Sequence, residues 1–135
     1  MARKRHLSRI AVMQVLFEQE LHSTDEDTCL DRNIDELIKE CGDVDKEFAI
    51  SLLHGVIEKQ DDLKKIIQKD APNWPLDQMD PISRVILLIS TYEIRYGNDA
   101  PPAVVMNEAI DIAKEYGTAE SGKFVNGVLN AIAHH

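Results

Sequence analysis

An all-α fold of about seven helices is what this sequence predicts, and three observations carry the prediction. Apolar residues recur at steps of three and four along most of the 135 residues, which is the spacing of one stripe on a 3.6-residue helix. Glycine, proline and capping residues punctuate those stripes at helix-length intervals. No segment alternates apolar and polar residues convincingly enough to read as a strand. The length suits one domain with a real core and is too short for two ordinary ones. Within residues 1–135 the expected arrangement is an N-terminal helical half of about 1–70 and a C-terminal half of about 77–135.

Taken in order, residues 7–22 read as an amphipathic helix with Leu7, Ile10, Ala11, Val15 and Leu16 on its buried side. Residues 22–31 are polar and acidic and read as a loop. Ile34, Leu37, Ile38 and Cys41 make a short helix closed by Gly42, and Asp43 or Asp45 can cap the next. Phe48, Leu52, Val56, Leu63, Ile66 and Ile67 form stripes along 45–69, with a bend within 57–62. His54-Gly55 in mid-helix suggests close helix packing, and a single histidine there reads as a satisfied, partly buried residue rather than a catalyst. Pro72 and Pro75 flank Trp74 and break helix. The indole is expected to plug a junction between two helical layers. Asp80-Pro81 is an N-cap followed by proline at the first helical position. The helix from there to Tyr96 is the most apolar of the chain and is expected to be central. Gly97-Asn98-Asp99 and Pro101-Pro102 form the next turn.

The stretch 102–129 is a hairpin of two helices. Val105, Ala109, Ile112, Ala113 and Tyr116 share one stripe, and Phe124, Val125, Val128, Leu129 and Ile132 make the second. Gly117 between them is expected to take the left-handed capping conformation. Thr118 restarts the chain as an N-cap, and Glu120 suits the positive end of the new helix. Gly127 inside that helix costs about 1 kcal/mol against alanine. Close approach of another helix at Gly127, with a hydrogen bond from Asn126 to a neighbouring backbone, would offset that cost; a binding role is the alternative.

The net charge of −9 argues against a general nucleic-acid binder. Its distribution does not. Residues 1–9 hold Arg3, Lys4, Arg5 and Arg9 and no acid, a segment charge of +4; the other 11 basic and 24 acidic side chains leave −13. A basic arm on an acidic body favours a short, defined nucleic-acid segment over coating. Cys29 and Cys41 fit neither a zinc cluster nor a redox motif, so free thiols are expected. The basic N-terminus lacks a following apolar region and cleavage site, no run is long enough for a membrane span, and a cytoplasmic location is expected.

Catalytic signals are missing. There is no phosphate-cradling glycine loop, no His-Glu-x-x-His pattern and no nucleophile elbow. Asp61-Asp62 reads as an ordinary solvated face and His134-His135 as a frayed end, so no catalytic residue, metal or cofactor is expected. Binding is the better class. If the fold brings the arm beside the turn at 116–124, then Arg5, Arg9 and Lys123 could take phosphates, with His6 beside them. Tyr116 and Phe124 could stack on unpaired bases, and Glu120, Ser121 and Asn126 could read base edges. Composition alone leaves the arm equally open as a solvated tail, and Tyr116 and Phe124 equally open as core.

Asn107-Glu-Ala-Ile-Asp-Ile-Ala-Lys114, Tyr116-Gly117 and Lys123-Phe-Val-Asn-Gly-Val-Leu129 together resemble the C-terminal signature of the NusB transcription antitermination family. Val12-Met-Gln14-Val-Leu16-Phe17, the block from Asp45 to Val56 and Tyr92-Glu93-Ile94 resemble further family blocks. Leu7 and Ile10, and Ser83-Arg84 with Leu88, depart from the family pattern. The resemblance implies two small three-helix subdomains packed across one another. It implies RNA contact by Arg3, Lys4, Arg5, His6 and Arg9 and by the turn carrying Tyr116, Glu120, Ser121, Lys123, Phe124 and Asn126, with the single-stranded boxA element of ribosomal RNA leaders as target. It also implies ribosomal protein NusE as partner, on Phe17, Ser83, Arg84 and Leu87, and assembly with other Nus factors on RNA polymerase. The free chain would be a monomer or a homodimer. An acidic helical adaptor that binds only protein, and an accessory domain of an RNA-modifying enzyme, are the competing readings.

Overall fold

A computed structural model describes residues 2–97 and 100–134. Among them the chain forms seven α-helices and one 3-10 turn, and no strand. It separates into two compact units, Met1–Gly55 and Val56–His135. The division falls inside the third helix, ahead of the proline-rich connection where the sequence places it.

The first unit holds α1 (Ala2–Leu21), α2 (Glu26–Glu40) and most of α3 (Lys46–Glu58). α1 starts at Ala2 rather than at residue 7, so the basic segment is not a tail but the first turns of a helix. Nothing between Ala2 and Leu21 breaks helix, and Arg, Lys and Leu are good helix formers. Leu7, Ile10, Ala11, Val12 and Met13 are all buried, on more than one side of the helix, so α1 is not the amphipathic helix the spacing suggests. Ser8 is tolerated in this core because it is paired. Its hydroxyl lies 2.7 Å from the Lys4 carbonyl and 3.0 Å from both the carbonyl and the N–H of Asp45.

α2 begins inside the expected loop. Asp25 caps it, accepting from the Thr28 N–H at 3.0 Å and the Thr28 hydroxyl at 2.7 Å, and Glu26 and Asp27 complement the positive helix end. The Thr28 hydroxyl and N–H hold the Asp25 carboxyl below its ordinary range. Glu18 of α1 binds α2 by accepting from Arg32 at 2.7 Å and Asn33 at 3.1 Å. Gly42 follows α2 at φ 136°, where a side chain would be strained. Cys29 is buried and Cys41 exposed, both as free thiols. Burial, and then the Glu18 carboxylate, push the Cys29 thiol up, which leaves it unreactive. His54 is paired, 2.7 Å from Asp27, yet half its side chain is exposed.

The second unit holds α4 (Gln60–Asp70), the 3-10 turn Leu76–Gln78, α5 (Pro81–Arg95), α6 (Pro102–Tyr116) and α7 (Ala119–Ala133). α5 is central, as its composition predicts: every residue from Val85 to Thr91 is buried. Val105, Ala109, Ile112 and Ala113 of α6 and Val125, Val128, Leu129 and Ile132 of α7 bury the predicted stripes. Tyr116 ends its stripe in solvent, 37% exposed. The turn residues Asn98 and Asp99, and the terminal His135, lie outside the described residues.

Two glycine expectations are corrected. Gly117 has φ −115°, so it is not a left-handed cap. Glycine is required there by space: a Cβ would come within 2.7 Å of the Ser121 hydroxyl and 2.8 Å of the Ala113 carbonyl. A Cβ at Gly127 would meet nothing within 4 Å, so no helix approaches it, and Asn126 beside it is exposed.

Candidate nucleic-acid interface

In the second unit, the N-termini of α5 and α7 meet at one carboxylate. Asp80 caps α5 by accepting from the N–H groups of Ile82 and Ser83 at 3.2 and 3.4 Å and from the Ser83 hydroxyl at 2.9 Å. The same carboxylate accepts the Ser121 hydroxyl of α7 at 3.1 Å. Thr118 and Ser121 complete a reciprocal capping box, each N–H donating to the other's hydroxyl at 3.2 Å. Side-chain caps of this kind each contribute about 1 kcal/mol. The two helix starts are thereby fixed against one another within the unit.

They frame a groove of about 700 Å³ lined by Trp74, Gln78, Met79, Asp80, Ile82, Ser83, Tyr116, Gly117, Thr118, Glu120, Ser121, Lys123 and Phe124. Tyr116, Glu120, Ser121, Lys123 and Phe124 are thus brought together, while Asn126 is not among the lining residues. Ser121 is buried and its hydroxyl is engaged on both sides, so it is a frame residue and not a reader of base edges. Glu120 and Lys123 are largely exposed and 3.9 Å apart. At that exposure the pair adds little stability and either side chain can turn to a ligand.

Trp74 is not the interior plug expected of it. The indole is 56% exposed and stands edge-to-face with Phe124, ring centroids 5.7 Å apart and planes at 74°. The sequence does carry a signal for this position: prolines on both sides hold residues 72–75 out of any helix, and a loop between rigid helices is where binding side chains tend to sit.

The first unit carries the basic segment that opens α1. Arg3 and Lys4 are exposed, Arg5 and His6 half-buried, and Arg9 buried with 4% exposure. Arg5 and Arg9 lie on one face of α1, their guanidinium carbons 4.5 and 5.1 Å from the centre of the Phe48 ring. Arg5 is also 3.8 Å from Asp45, and Lys4 is 3.8 Å from Asp43.

The four residues expected to meet a protein partner differ in access. Phe17 and Arg84 are half-buried, whereas Ser83 is 2% and Leu87 0% exposed. Leu87 therefore offers a partner no surface, because the most apolar helix of the unit places it in the core. Arg84 donates to the carbonyls of Leu76 and Met79, both at 2.8 Å, and so holds the 3-10 turn beside the groove. Among the described residues no helix is long and apolar enough to cross a membrane, and no three His, Cys, Asp or Glu side chains group to hold a metal ion.

Known proteins share this architecture and sequence. The NusB family model matches residues 6–134. The transcription antitermination protein NusB of Bacillus subtilis is 39% identical over 131 residues, 96% of this chain and 94% of that protein. NusB of Thermodesulfovibrio yellowstonii is 38% identical over 138 residues, with 96% and 91% covered. Among solved structures, NusB of T. maritima superposes with a TM-score of 0.84 at 34% identity, covering 97% of this chain and 91% of that one. A structure of antitermination factors NusB and NusE in complex with double-stranded RNA contains a chain that matches with a TM-score of 0.86 at 26% identity, covering 99% and 98%. With an all-α fold, a full-length family match and relatives of this similarity, the chain belongs to the NusB family.

Proposed function

We propose that the chain is a transcription antitermination factor, a binding protein and not an enzyme, that recognises boxA-type single-stranded RNA of ribosomal RNA leaders together with NusE. The observation that carries this reading is the groove, in which exposed aromatic rings stand beside Lys123 at two helix starts. Unpaired bases are recognised by stacking on such rings, and phosphates by flanking cations. The relative solved with NusE and RNA supplies the partner classes.

In this reading Arg3, Lys4 and Arg5, with His6, take phosphates at the start of α1, and Arg9 fixes Phe48 beneath them. Tyr116 and Phe124 stack on bases, Lys123 takes a phosphate, and Glu120 and Asn126 read base edges. NusE is met through Phe17 and Arg84, the accessible members of the expected contact set. The RNA-bound pair then joins other Nus factors on RNA polymerase, which places the activity in the cytoplasm.

The test is binding of a short boxA-like RNA at two salt concentrations, with and without NusE, by the parent and by an Arg5→Ala/Arg9→Ala variant. Salt-sensitive binding that NusE strengthens and the variant loses is the expected result. Absence of RNA binding under every condition would move the function to a protein-only adaptor.

A further inference from the structure

Trp74 is the single tryptophan of the chain and the most exposed of its large aromatic side chains among the described residues. An indole left 56% open adds little to a core, yet the turn that carries it is held firmly. Gln68 of α4 donates to the carbonyls of Ala71 and Trp74 at 3.0 and 2.8 Å and accepts from the Leu76 N–H at 2.9 Å. The backbone N–H of Trp74 itself bonds the Ala71 carbonyl at 3.1 Å. Phe124 supports one side of the ring. A ring fixed before binding loses little freedom when a ligand stacks on it.

The polar groups around the groove select the kind of ligand. Asp80 and Glu120 put two carboxylates in the lining beside the ammonium of Lys123, so away from Lys123 itself the groove favours an uncharged group over a phosphate. A carboxylate accepts hydrogen bonds and donates none. Asp80 already accepts from Ile82, Ser83 and Ser121, so the exposed Glu120 carboxylate is the acceptor left to a flat, uncharged group that carries N–H donors. Adenine, cytosine and guanine present an exocyclic amino group; uracil does not.

We infer that Trp74, held in place by Gln68, is a stacking platform for one unpaired nucleobase bearing an exocyclic amino group. The inference rests on the RNA-binding reading above and adds to it a base-selective position. Gln68 acts through Trp74 and is a positioning residue.

The experiment measures anisotropy of labelled boxA-like RNA on the full chain for the parent, Trp74→Phe, Trp74→Ala and Gln68→Ala. Each is tested against an RNA set in which every position in turn is abasic or uridine, with the intrinsic emission of Trp74 recorded alongside. Trp74→Ala should weaken binding roughly 5- to 150-fold, the range of one base–aromatic stack, and Trp74→Phe should recover most of it. One abasic position should remove that difference, and uridine at the same position should bind more weakly than the amino-bearing bases. Gln68→Ala should weaken binding to the intact RNA only, leaving the abasic RNA unaffected, which a general loss of structure would not do. Emission of Trp74 should be quenched on binding. Unchanged affinity of Trp74→Ala, with Arg5→Ala still weakening RNA, overturns the platform and leaves the RNA-binding reading standing. A loss of NusE binding by Trp74→Ala, with RNA affinity unchanged, overturns it in favour of a protein side chain in the groove. A parent chain that binds no RNA overturns both readings.

Discussion

The basic start of α1 and the groove at α5 and α7 are built from the same residue types in opposite order. In the first unit an aromatic ring organises cations: Phe48 lies beneath Arg5 and Arg9, while Asp45 and Asp43 stand 3.8 Å from Arg5 and Lys4. In the second unit, hydrogen-bonded polar groups organise an aromatic ring. Gln68 holds the turn that carries Trp74, Arg84 holds the 3-10 turn that follows it, and Asp80 and Ser121 lock the helix starts beside it. The first arrangement offers charge at fixed positions, which attracts any phosphate backbone without regard to sequence. The second offers an open ring face and acceptors, which can tell one base from another. Salt dependence should belong to the first unit and base preference to the second.

The largest effect should come from filling the space at Gly117. A methyl there meets the Ser121 hydroxyl at 2.7 Å and the Ala113 carbonyl at 2.8 Å, and the carbonyl cannot move without disturbing the last turn of α6. Gly117→Ala is expected to cost about 1–3 kcal/mol, the usual penalty of overpacking, and to weaken base preference while leaving the salt dependence of RNA binding unchanged. Gly127→Ala, on the same helix hairpin but in open space, should instead stabilise by up to about 1 kcal/mol. Denaturant titration of both variants checks the pair; equal effects of one sign would mean that the groove is not framed by close packing at Gly117.

These two glycines also show what the sequence can and cannot carry. The stripes of α5, α6 and α7 are legible because burial follows helical spacing, and the Asp80 and Thr118 caps because capping chemistry is local. That Gly117 answers to the Ser121 hydroxyl and Gly127 to nothing is not legible, since both are simply glycine near a helix. α1 escapes the same logic: a helix buried on several sides has no polar face to reveal its orientation, and the basic residues before Leu7 look like a tail. Spacing misplaces Trp74: its flanking prolines mark a loop, but the Gln68 hydrogen bonds to the Ala71 and Trp74 carbonyls that fix that loop are recorded by no sequence pattern. The roles of Ser83 and Ser121 as frame residues depend likewise on the Asp80 carboxylate, which for Ser121 lies far along the chain.

Next in size are Arg9 and Arg5, which separate structure from contact within the basic patch. Arg9 is 4% exposed over Phe48, so Arg9→Ala should cost stability, about 1 kcal/mol as for a typical mutation, and leave the salt slope of RNA binding alone. Arg5 is half-buried, its side chain 33% exposed. Arg5→Ala should reduce the slope of log affinity against log salt by about 0.7, the value for one phosphate contact on a single strand, with little change in melting temperature. A slope change from Arg9→Ala would mean that the patch rearranges to expose it.

Acid should weaken the first unit through Glu18. The Arg32 hydrogen bond first, and that of Asn33 second, hold its carboxyl below the ordinary 4.5. A carboxylate whose folded value is lowered stabilises the fold fully above its unfolded value, and that contribution is lost as pH falls through the lowered one. Partial exposure screens the Arg32 pair, so the effect is small. Denaturation at stepped pH should show the parent more stable than Glu18→Gln at pH 7 and the difference closing below 4.5; a constant gap would assign the difference to packing.

The smallest expected effect is the one that tests the acidic side of the groove. Glu120 lies in the first turn of α7, exposed and 3.9 Å from Lys123, where it suits the helix end but lowers the attraction of Lys123 for phosphate. Two unit charges about 8 Å apart in water interact by about 0.5 kcal/mol, so Glu120→Gln should strengthen RNA binding roughly twofold. The amide keeps a hydrogen-bond acceptor, so the preference for an amino-bearing base should survive the change. Competition between amino-bearing and uridine-substituted RNAs on Glu120→Gln separates the two roles: tighter binding with preference intact assigns the preference to an acceptor oxygen at position 120 beside the Trp74 face, whereas tighter binding with preference abolished makes the charge of the Glu120 carboxylate the reader.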